Sequence, residues 1–339
     1  MNDTVAPEEE VPEAAAENQV ALIDAYRFDG DGNATRLSWD QINGPFDDEG
    51  FTWIHLHRTA EDTKIFLYER SGLPELVSDA LLAAESRPRT IPFDEGLMVN
   101  IRGVNMNPGE NHDDMVSLRL WCENDRVISV RRRPLMAVND VREAIRRKRP
   151  PHSVAALLIM LAEGLTARMG DVIVALEERV DDLEDSVVEV QSQELRLALN
   201  TVRREAIRLR RFIGPNREAI QRLVNDPADW MDQRDRMQLR EIVDKITRYI
   251  EDLDTTRERA AVVQDELSSR LAERLNKNTY VLSVIAAIFL PLGLLTGLLG
   301  INVGGIPGAE SKTAFWAVTV GLLLVGGCEY WLLRRLRWI

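Results

Sequence analysis

Cysteine is scarce in this chain. Only Cys122 and Cys328 occur in 339 residues, so no disulfide framework and no thiolate-based zinc site is expected. Histidine is scarce as well: His55, His57, His112 and His152 all precede residue 153. No glycine-rich phosphate loop and no convincing nucleophile or metal-hydrolase constellation is present, which argues against an enzyme. Residues 1–19 hold hardly any large apolar side chain but carry Asp3, Glu8, Glu9, Glu10, Glu13 and Glu17. Such a segment cannot bury enough surface to offset chain entropy, and a disordered acidic tail is expected. It also lacks the basic and apolar regions of a signal peptide, so the bulk of the chain is expected to stay in the cytoplasm.

What the chain does hold is unevenly spread. It is 29% charged and 45% hydrophobic, with a formal net charge of −13. Before about Asn278 the sequence is rich in Arg, Glu and Asp, and afterwards two apolar runs dominate. Tyr280–Gly300 has no charge, and Thr313–Leu333 has one, Glu329. Each suffices to cross a hydrocarbon core, which takes about 20 helical residues. One run alone reads equally as a buried core helix; two in tandem read as a membrane hairpin. Arg270, Arg274 and Lys277 precede the first run, and Arg334, Arg335 and Arg337 follow the second. The link between them offers only Lys312. Positive residues stay inside, so both termini are expected in the cytoplasm and the loop outside. Trp316, Tyr330, Trp331 and Trp338 sit near the span ends, where interfacial anchors belong.

The earlier part mixes strand and helix signals. Val20–Phe28, Phe51–His57, Gly96–Asn105, Met115–Cys122 and Arg126–Arg131 are β-rich runs separated by turn signals such as Asn107-Pro108-Gly109. Glu61–Arg70, Pro74–Ala84 and Leu135–Lys148 have helical patterns. From Ser153 the spacing becomes three-or-four: Leu158, Leu161, Leu165, Met169, Val172, Leu176, Val180, Leu183, Val187. A second helix is expected from about Gln193 to Phe212, interrupted by Gly214-Pro215. A turn is expected at Asn225-Asp226-Pro227, with Pro227 starting a new helix.

That last helix carries a heptad stripe, Leu239, Ile242, Ile246, Tyr249, Leu253, Thr256, Ala260, Val263 and Leu267. Leu267, Leu271 and Leu275 then step by four. No breaker lies between Trp230 and Pro291, so one helix is expected from the soluble part into the first membrane run. From Trp230 to Asn302 it would span roughly 110 Å at about 1.5 Å per residue. Its stripe needs partners, either the preceding helices or copies from other subunits.

Gly300-Ile301-Asn302 closes the first membrane run. Taken alone, Gly and Asn are ordinary residues at a helix C-terminus, because both tolerate the left-handed conformation. Their setting is more specific: a long helix, a span with an internal Pro, Gly-x-Asn, a short loop, a second span and a basic tail. This order resembles the CorA family of divalent-cation transporters, whose signature at that place is Gly-Met-Asn. Ile301 departs from it and puts magnesium in question. Phe289-Leu290-Pro291, Leu295-Thr296-Gly297 and the ending Trp331-Leu332-Leu333-Arg334-Arg335-Leu336-Arg337-Trp338 resemble the ZntB branch, which is associated with zinc. The resemblance is specific from about Thr279 onward and looser before it.

The resemblance implies an α+β cytoplasmic domain followed by a long helical bundle and stalk and two transmembrane helices, assembled as a homopentameric funnel with one axial pore in a bacterial inner membrane. On this reading, 1–19 is the tail, 20–150 the α/β domain and 151–278 the bundle and stalk. Residues 279–302 form the pore-lining helix, 303–312 the external loop, 313–333 the second span and 334–339 the basic tail. It further implies transport of zinc, or of cadmium, nickel or cobalt, as cargo rather than as a cofactor, with uptake coupled to protons. Lipid, divalent ions and protons are the expected partners, and nucleic acid is not.

Five copies of Asn302 would ring the outer mouth, with Gly300 and Ile301 beside it. Neutral amide oxygens can accept hydrogen bonds from a hydrated ion without stripping its shell, and can release it. Glu310 in the loop would raise the local cation concentration, or would serve as a solvated charge near Lys312. Two arcs run back from Asn302. One holds Leu298 or Leu299, Leu295, Pro291, Val284 and Val281. The other holds Gly300, Gly297, Gly293, Leu290, Ser283, Thr279 and Asn276, and is favoured as the pore lining because polar groups in membranes face a cavity or a partner. Its glycines could instead let helices approach closely. Family members often hold a regulatory metal on the stalk; Asp265 is the nearest match here, with a salt bridge to a neighbouring Arg as the ordinary alternative. His55 and His57 share a strand face, and the acidic run Asp181–Asp185 lies on a helix; each reads as metal-gathering or as plain structure. Neither His nor Cys occurs in the pore span, so zinc rests on the branch resemblance. Two other readings stay open: a magnesium or cobalt channel gated by cytoplasmic divalent ions, and a membrane-anchored coiled-coil scaffold.

Overall fold

The computed structural model describes residues 20–30, 32–42, 50–85, 87–189, 193–300 and 311–335. The acidic tail, Ile301, Asn302, Glu310 and the end of the basic tail lie outside the described residues. Seven strands come first: β1 Leu22–Phe28, β2 Ala34–Arg36, β3 Phe51–His57, β4 Arg89–Pro92, β5 Leu97–Gly103, β6 Val116–Cys122 and β7 Arg126–Arg131. Between β3 and β4 lie α1, Glu61–Ile65, which continues as a π-helical turn over Phe66–Arg70, and α2, Glu75–Leu82. Five strands fall where the β-rich runs predict them. The two additions, β2 and β4, are three and four residues long and take the two edges of the sheet. An edge also tolerates Pro92, whose missing N–H would break an interior ladder.

The sheet order is β2-β1-β3-β7-β6-β5-β4. Among the described strands, only β3 and β7 pair in parallel. Alternation divides the sheet's side chains between two faces. Ile54, Leu56, Met98, Trp121, Ile128 and Val130 form one apolar core with Phe66 and Leu67 of the π-turn and with Val77 and Leu81 of α2. The opposite face meets helices from later in the chain. These are α3 Met136–Arg146, α4 Val154–Glu189 and α5 Gln193–Asn225. Gly103 shows how closely α4 approaches: a Cβ there would lie 2.5 Å from Leu165. Thr90 of β4 donates to the Ala219 carbonyl of α5 at 2.8 Å.

Each long helix forms for a readable reason. Ser153 caps α4, its hydroxyl accepting from the Ala156 N–H at 3.0 Å. The stripe from Leu158 through Val180 is buried. Arg168 grips Asp140 of α3 with two parallel bonds of 2.7 and 2.8 Å. The expected break at Gly214-Pro215 does not occur: α5 runs through Pro215. Proline costs an interior helix about 3 kcal/mol, and here tertiary contacts on both sides outweigh it. Leu209, Ile213, Ala219 and Ile220 are buried. Asn216 also clamps the backbone of β5, accepting from the Arg102 N–H at 2.9 Å and donating to the Arg102 carbonyl at 2.6 Å.

Pro227 does not start the next helix. It lies in the connection, and α6 spans Gln233–Leu299. The start is fixed by a reciprocal cap: the Asp235 N–H donates to the Asp232 carboxylate at 2.7 Å, and the Asp232 N–H to the Asp235 carboxylate at 3.0 Å. The final helix, α7, is Ala314–Arg335. The chain divides into two compact units, one ending at Val263 and one beginning at Gln264. Within the first unit the heptad stripe finds its partners in the same chain. Leu239, Ile242, Ile246, Leu253, Thr256, Ala260 and Val263 are buried. Arg210 of α5 reaches Asp254 at 2.7 Å, and Arg259 reaches Asp181 and Glu184 of α4 at 2.6 and 2.7 Å. The acidic run on α4 thus includes two side chains that hold α6 in place.

Candidate functional site

Two described helices are long and apolar enough to cross a membrane, α6 through its C-terminal part and α7. Pro291 lies inside α6 without ending it. A proline in a membrane helix leaves one carbonyl without its helical donor, a cost that neighbouring groups can absorb. Two hydroxyls of this segment spend their protons on their own backbone. Ser283 donates to the Thr279 carbonyl at 2.8 Å, and Thr296 to the carbonyls of Leu292 and Gly293 at 2.9 and 3.1 Å. Their oxygens keep acceptor capacity, the kind of group a cation or its water shell meets. The helix is described to Leu299, and the Gly300 N–H still donates to the Thr296 carbonyl at 2.9 Å.

At 100° per residue, Asn276, Thr279, Ser283, Leu290, Gly293 and Gly297 fall within an arc of about 100°, and Gly300 extends it slightly. All seven are exposed in the single chain. A Cβ added at Gly293 or Gly297 would meet nothing within 4 Å. Between Val281 and Gly300, the partly covered residues are Val284, Ile288, Pro291 and Leu292. By the same helical arithmetic they centre on the far side of α6. There Leu292 Cδ1 lies 3.8 Å from the position of a Gly326 Cβ on α7. So α7 covers the side holding Val284 and Pro291, which belong to the competing arc, and leaves the Asn276–Gly300 arc open. Asp265 is exposed and, in the same count, falls on the open arc.

α7 shows the complementary stripe. Ala314, Val318, Gly321, Leu322, Val325, Gly326 and Glu329 are partly covered and Leu333 is buried. Glu329 Oε2 is out of contact with solvent and has no hydrogen-bond partner. An ionisable group in that state within a membrane span is costly.

The remaining candidates resolve into structure. His55 is fully buried, with Nδ1 2.7 Å from Ser129 Oγ. Burial, then the charges of Arg131 and Arg142, push its pKa well below the usual value. His57 Nε2 lies 3.0 Å from the Arg132 carbonyl and its Nδ1 3.2 Å from the Thr59 hydroxyl. Both nitrogens of His57 are engaged by protein partners, whereas His55 Nε2 is buried without one. Among the described residues of one chain, no three His, Cys, Asp or Glu side chains are grouped to hold a metal ion.

The family model described as "CorA-like Mg2+ transporter protein" matches residues 48–335. The chain belongs to the CorA family. It is 37% identical over 325 residues to "Divalent cation transporter CmaX" of Pseudomonas aeruginosa, covering 94% of this chain and 97% of that one. It is 33% identical over 319 residues to "Zinc transport protein ZntB" of Pectobacterium carotovorum, covering 94% and 96%. The solved structure of full-length CmaX matches with a TM-score of 0.84 at 36% identity, over 94% of this chain and 99% of that one. The CorA fold expected from the order of stalk, spans and Gly-x-Asn is therefore present over nearly the whole chain. What the sequence alone did not separate was which arc α7 covers. A signal was there in the three-or-four spacing of Ala314, Val318, Gly321, Val325 and Glu329 on α7.

Proposed function

We propose that this CorA-family protein carries divalent metal ions, zinc foremost, across a bacterial inner membrane as a homopentamer with both termini in the cytoplasm. Five copies of α6 surround one axial path, and the Asn276–Gly300 arc lines it. The observation that carries this reading is the arc's openness: α7 covers the opposite side of α6, so the polar and small residues have no partner in the single chain. Polar groups in a bilayer face a cavity or another helix, and a central water-filled path supplies that cavity. Gly300, Ile301 and Asn302 form the outer mouth, with Glu310 gathering cations beside it. Asp265, on the same arc, is repeated around the axis by five copies, which would supply the grouped carboxylates that one chain lacks.

Proton-coupled uptake is the driving mode we infer, and Glu329 is its carrier. Its partnerless oxygen on the covered face of α7 supports that role. Zinc is preferred over magnesium because the relatives named for zinc match along nearly their whole length and because Ile301 stands where the family signature has Met. The test is zinc flux into proteoliposomes holding a zinc-sensitive dye, with and without an inward proton gradient and with excess Mg²⁺. Zinc entry that rises with the gradient and ignores Mg²⁺ supports the proposal. Entry blocked by Mg²⁺ replaces it with a magnesium channel, and no flux of either ion replaces it with a scaffold.

A further inference from the structure

One end of the sheet opens into a cavity of about 460 Å³, within the size range of small-molecule sites. Topology explains its place. Because β3 and β7 run parallel, both carboxyl ends finish on the same side, where β5 also ends and β6 begins. Arginines cluster at these strand ends. Arg58 follows β3, Arg131 closes β7 and is followed by Arg132 and Arg133, Arg102 lies at the end of β5, and Arg119 reaches in from β6. Six guanidinium groups therefore line one cavity, against three carboxylates, Glu85, Asp113 and Asp114. One of those three, Asp113, is engaged by Arg208 at 2.8 Å.

Several of these guanidinium groups contact neutral groups, while Arg133 pairs with Glu110 at 3.2 Å. Arg58 Nη1 donates to the carbonyls of Ala83 and Ala84 at 2.8 and 3.1 Å. Arg119 Nη1 donates to the Leu81 carbonyl at 2.7 Å. Arg102 lies over the Phe212 ring, 4.5 Å from its centroid. Such contacts orient a guanidinium without cancelling its charge. The electrostatic cost is visible at Arg119, which is only 2% exposed. Burial and the repulsion of Arg58, Arg102 and Arg89 bring its pKa down to about 10. A fold that needed only packing here could use apolar side chains, since burying like charges together costs stability. An anion in the cavity would reverse the sign of that interaction. Planar guanidinium forks match phosphate oxygens in pairs, and a lining this rich in arginine suits an anion of more than one phosphate group.

We propose that the cavity at the carboxyl ends of β3 and β7 binds a small anion bearing two or more phosphate groups. Arg132, exposed at the rim, supplies one of its accessible contacts, and Arg58 and Arg102 orient it from the walls. The site lies wholly within the first compact unit and does not depend on the ion path, so its test needs no transport.

Equilibrium dialysis of the full-length protein in detergent against radiolabelled pyrophosphate at low salt measures it directly. Saturable binding near one per chain is expected, weakening as salt is raised because the attraction is partly solvent-screened. Arg132→Gln and Arg58→Gln are expected to weaken binding at least tenfold, while Arg234→Gln, exposed at the start of α6, leaves it unchanged. Arg132 is exposed, so its replacement reports on binding even if Arg58→Gln fails to fold. Competition by ATP would show that a nucleotide fills the site, and its absence that an inorganic polyphosphate does. No saturable binding by the unaltered protein at low salt, or equal affinity in Arg132→Gln, overturns the proposal.

Discussion

Ser129→Ala tests whether the centre of the sheet is held by one hydroxyl. Ser129 Oγ accepts from Trp53 Nε1 at 2.7 Å and lies 2.7 Å from His55 Nδ1. All three residues are fully buried. Replacing the hydroxyl by hydrogen leaves the indole N–H and one imidazole nitrogen without a partner and without access to water. A buried polar group left unsatisfied costs about 1–3 kcal/mol. Two such groups, less about 1 kcal/mol regained from the serine hydroxyl's own burial, give a destabilisation of about 1–5 kcal/mol. That is a large share of the 5–15 kcal/mol typical of a folded domain. Urea unfolding of the full-length protein in detergent, followed by far-UV circular dichroism, measures it. Trp53→Phe removes one of the orphaned donors, so the double variant Trp53→Phe/Ser129→Ala should cost less than the sum of the singles by about 1 kcal/mol. A loss below about 0.5 kcal/mol in Ser129→Ala, or strict additivity in the double variant, refutes the reasoning.

Acid should weaken the same region. His55 has a depressed pKa in the fold, mainly through burial, so the unfolded chain takes up a proton first. Its contribution is complete above about pH 6.5 and falls below it by about 1.36 kcal/mol per pH unit, reaching at most about 2 kcal/mol at pH 5. His57, shifted the same way, adds in the same direction, and unfolding curves between pH 5 and 8 check both; a flat profile contradicts the assignment. Asn302→Ala should abolish zinc flux in proteoliposomes while the oligomer still elutes at its normal size, and normal flux would return Gly300 and Asn302 to a capping role. Glu329→Gln should leave zinc binding intact but remove the response to the proton gradient; a variant that responds fully places the proton elsewhere.

Much of the fold was legible because it rests on local signals. β3 and β7 are short apolar runs bounded by turns, and both are observed where the runs lie. The strands that escaped notice, β2 and β4, are short edge segments whose pairing comes from neighbours rather than from their own pattern. Pro215 misled because a proline's local cost is readable and the Asn216 clamp on Arg102, 114 residues away in sequence, is not. The start of α6 could have been found: Asp232 and Asp235 have the three-residue spacing of a reciprocal cap. The Gly300-Ile301-Asn302 motif and the polar arc are contiguous features and were visible. The arginine cavity was not, because Arg58, Arg102 and Arg119 meet only after the sheet order brings three distant strand ends together. The run Arg131-Arg132-Arg133 was its one local trace.

The two faces of α6 within the membrane segment constrain how transport can be coupled. The Asn276–Gly300 arc and Glu329 lie on different sides of that helix: the arc is open, whereas Glu329 sits on the stripe of α7 turned toward α6's covered side. An ion on the open arc and a proton on Glu329 would therefore not share one site. Coupling would have to pass through the body of α6, by a shift of the helix against α7. The seam suits such a shift. At Gly326 the seam is loose enough that an added Cβ would sit 3.8 Å from Leu292 Cδ1, in ordinary van der Waals contact. Small residues let membrane helices pack closely without a directional bond, and Pro291, next to Leu292, removes one of the hydrogen bonds that would keep α6 rigid there. Coupling through a helix needs an element with two arrangements that both sites bias. If the proposed coupling holds, the Pro291–Leu292 segment is the place on α6 where a protonation event at α7 and an ion at the open arc would both act on the same backbone.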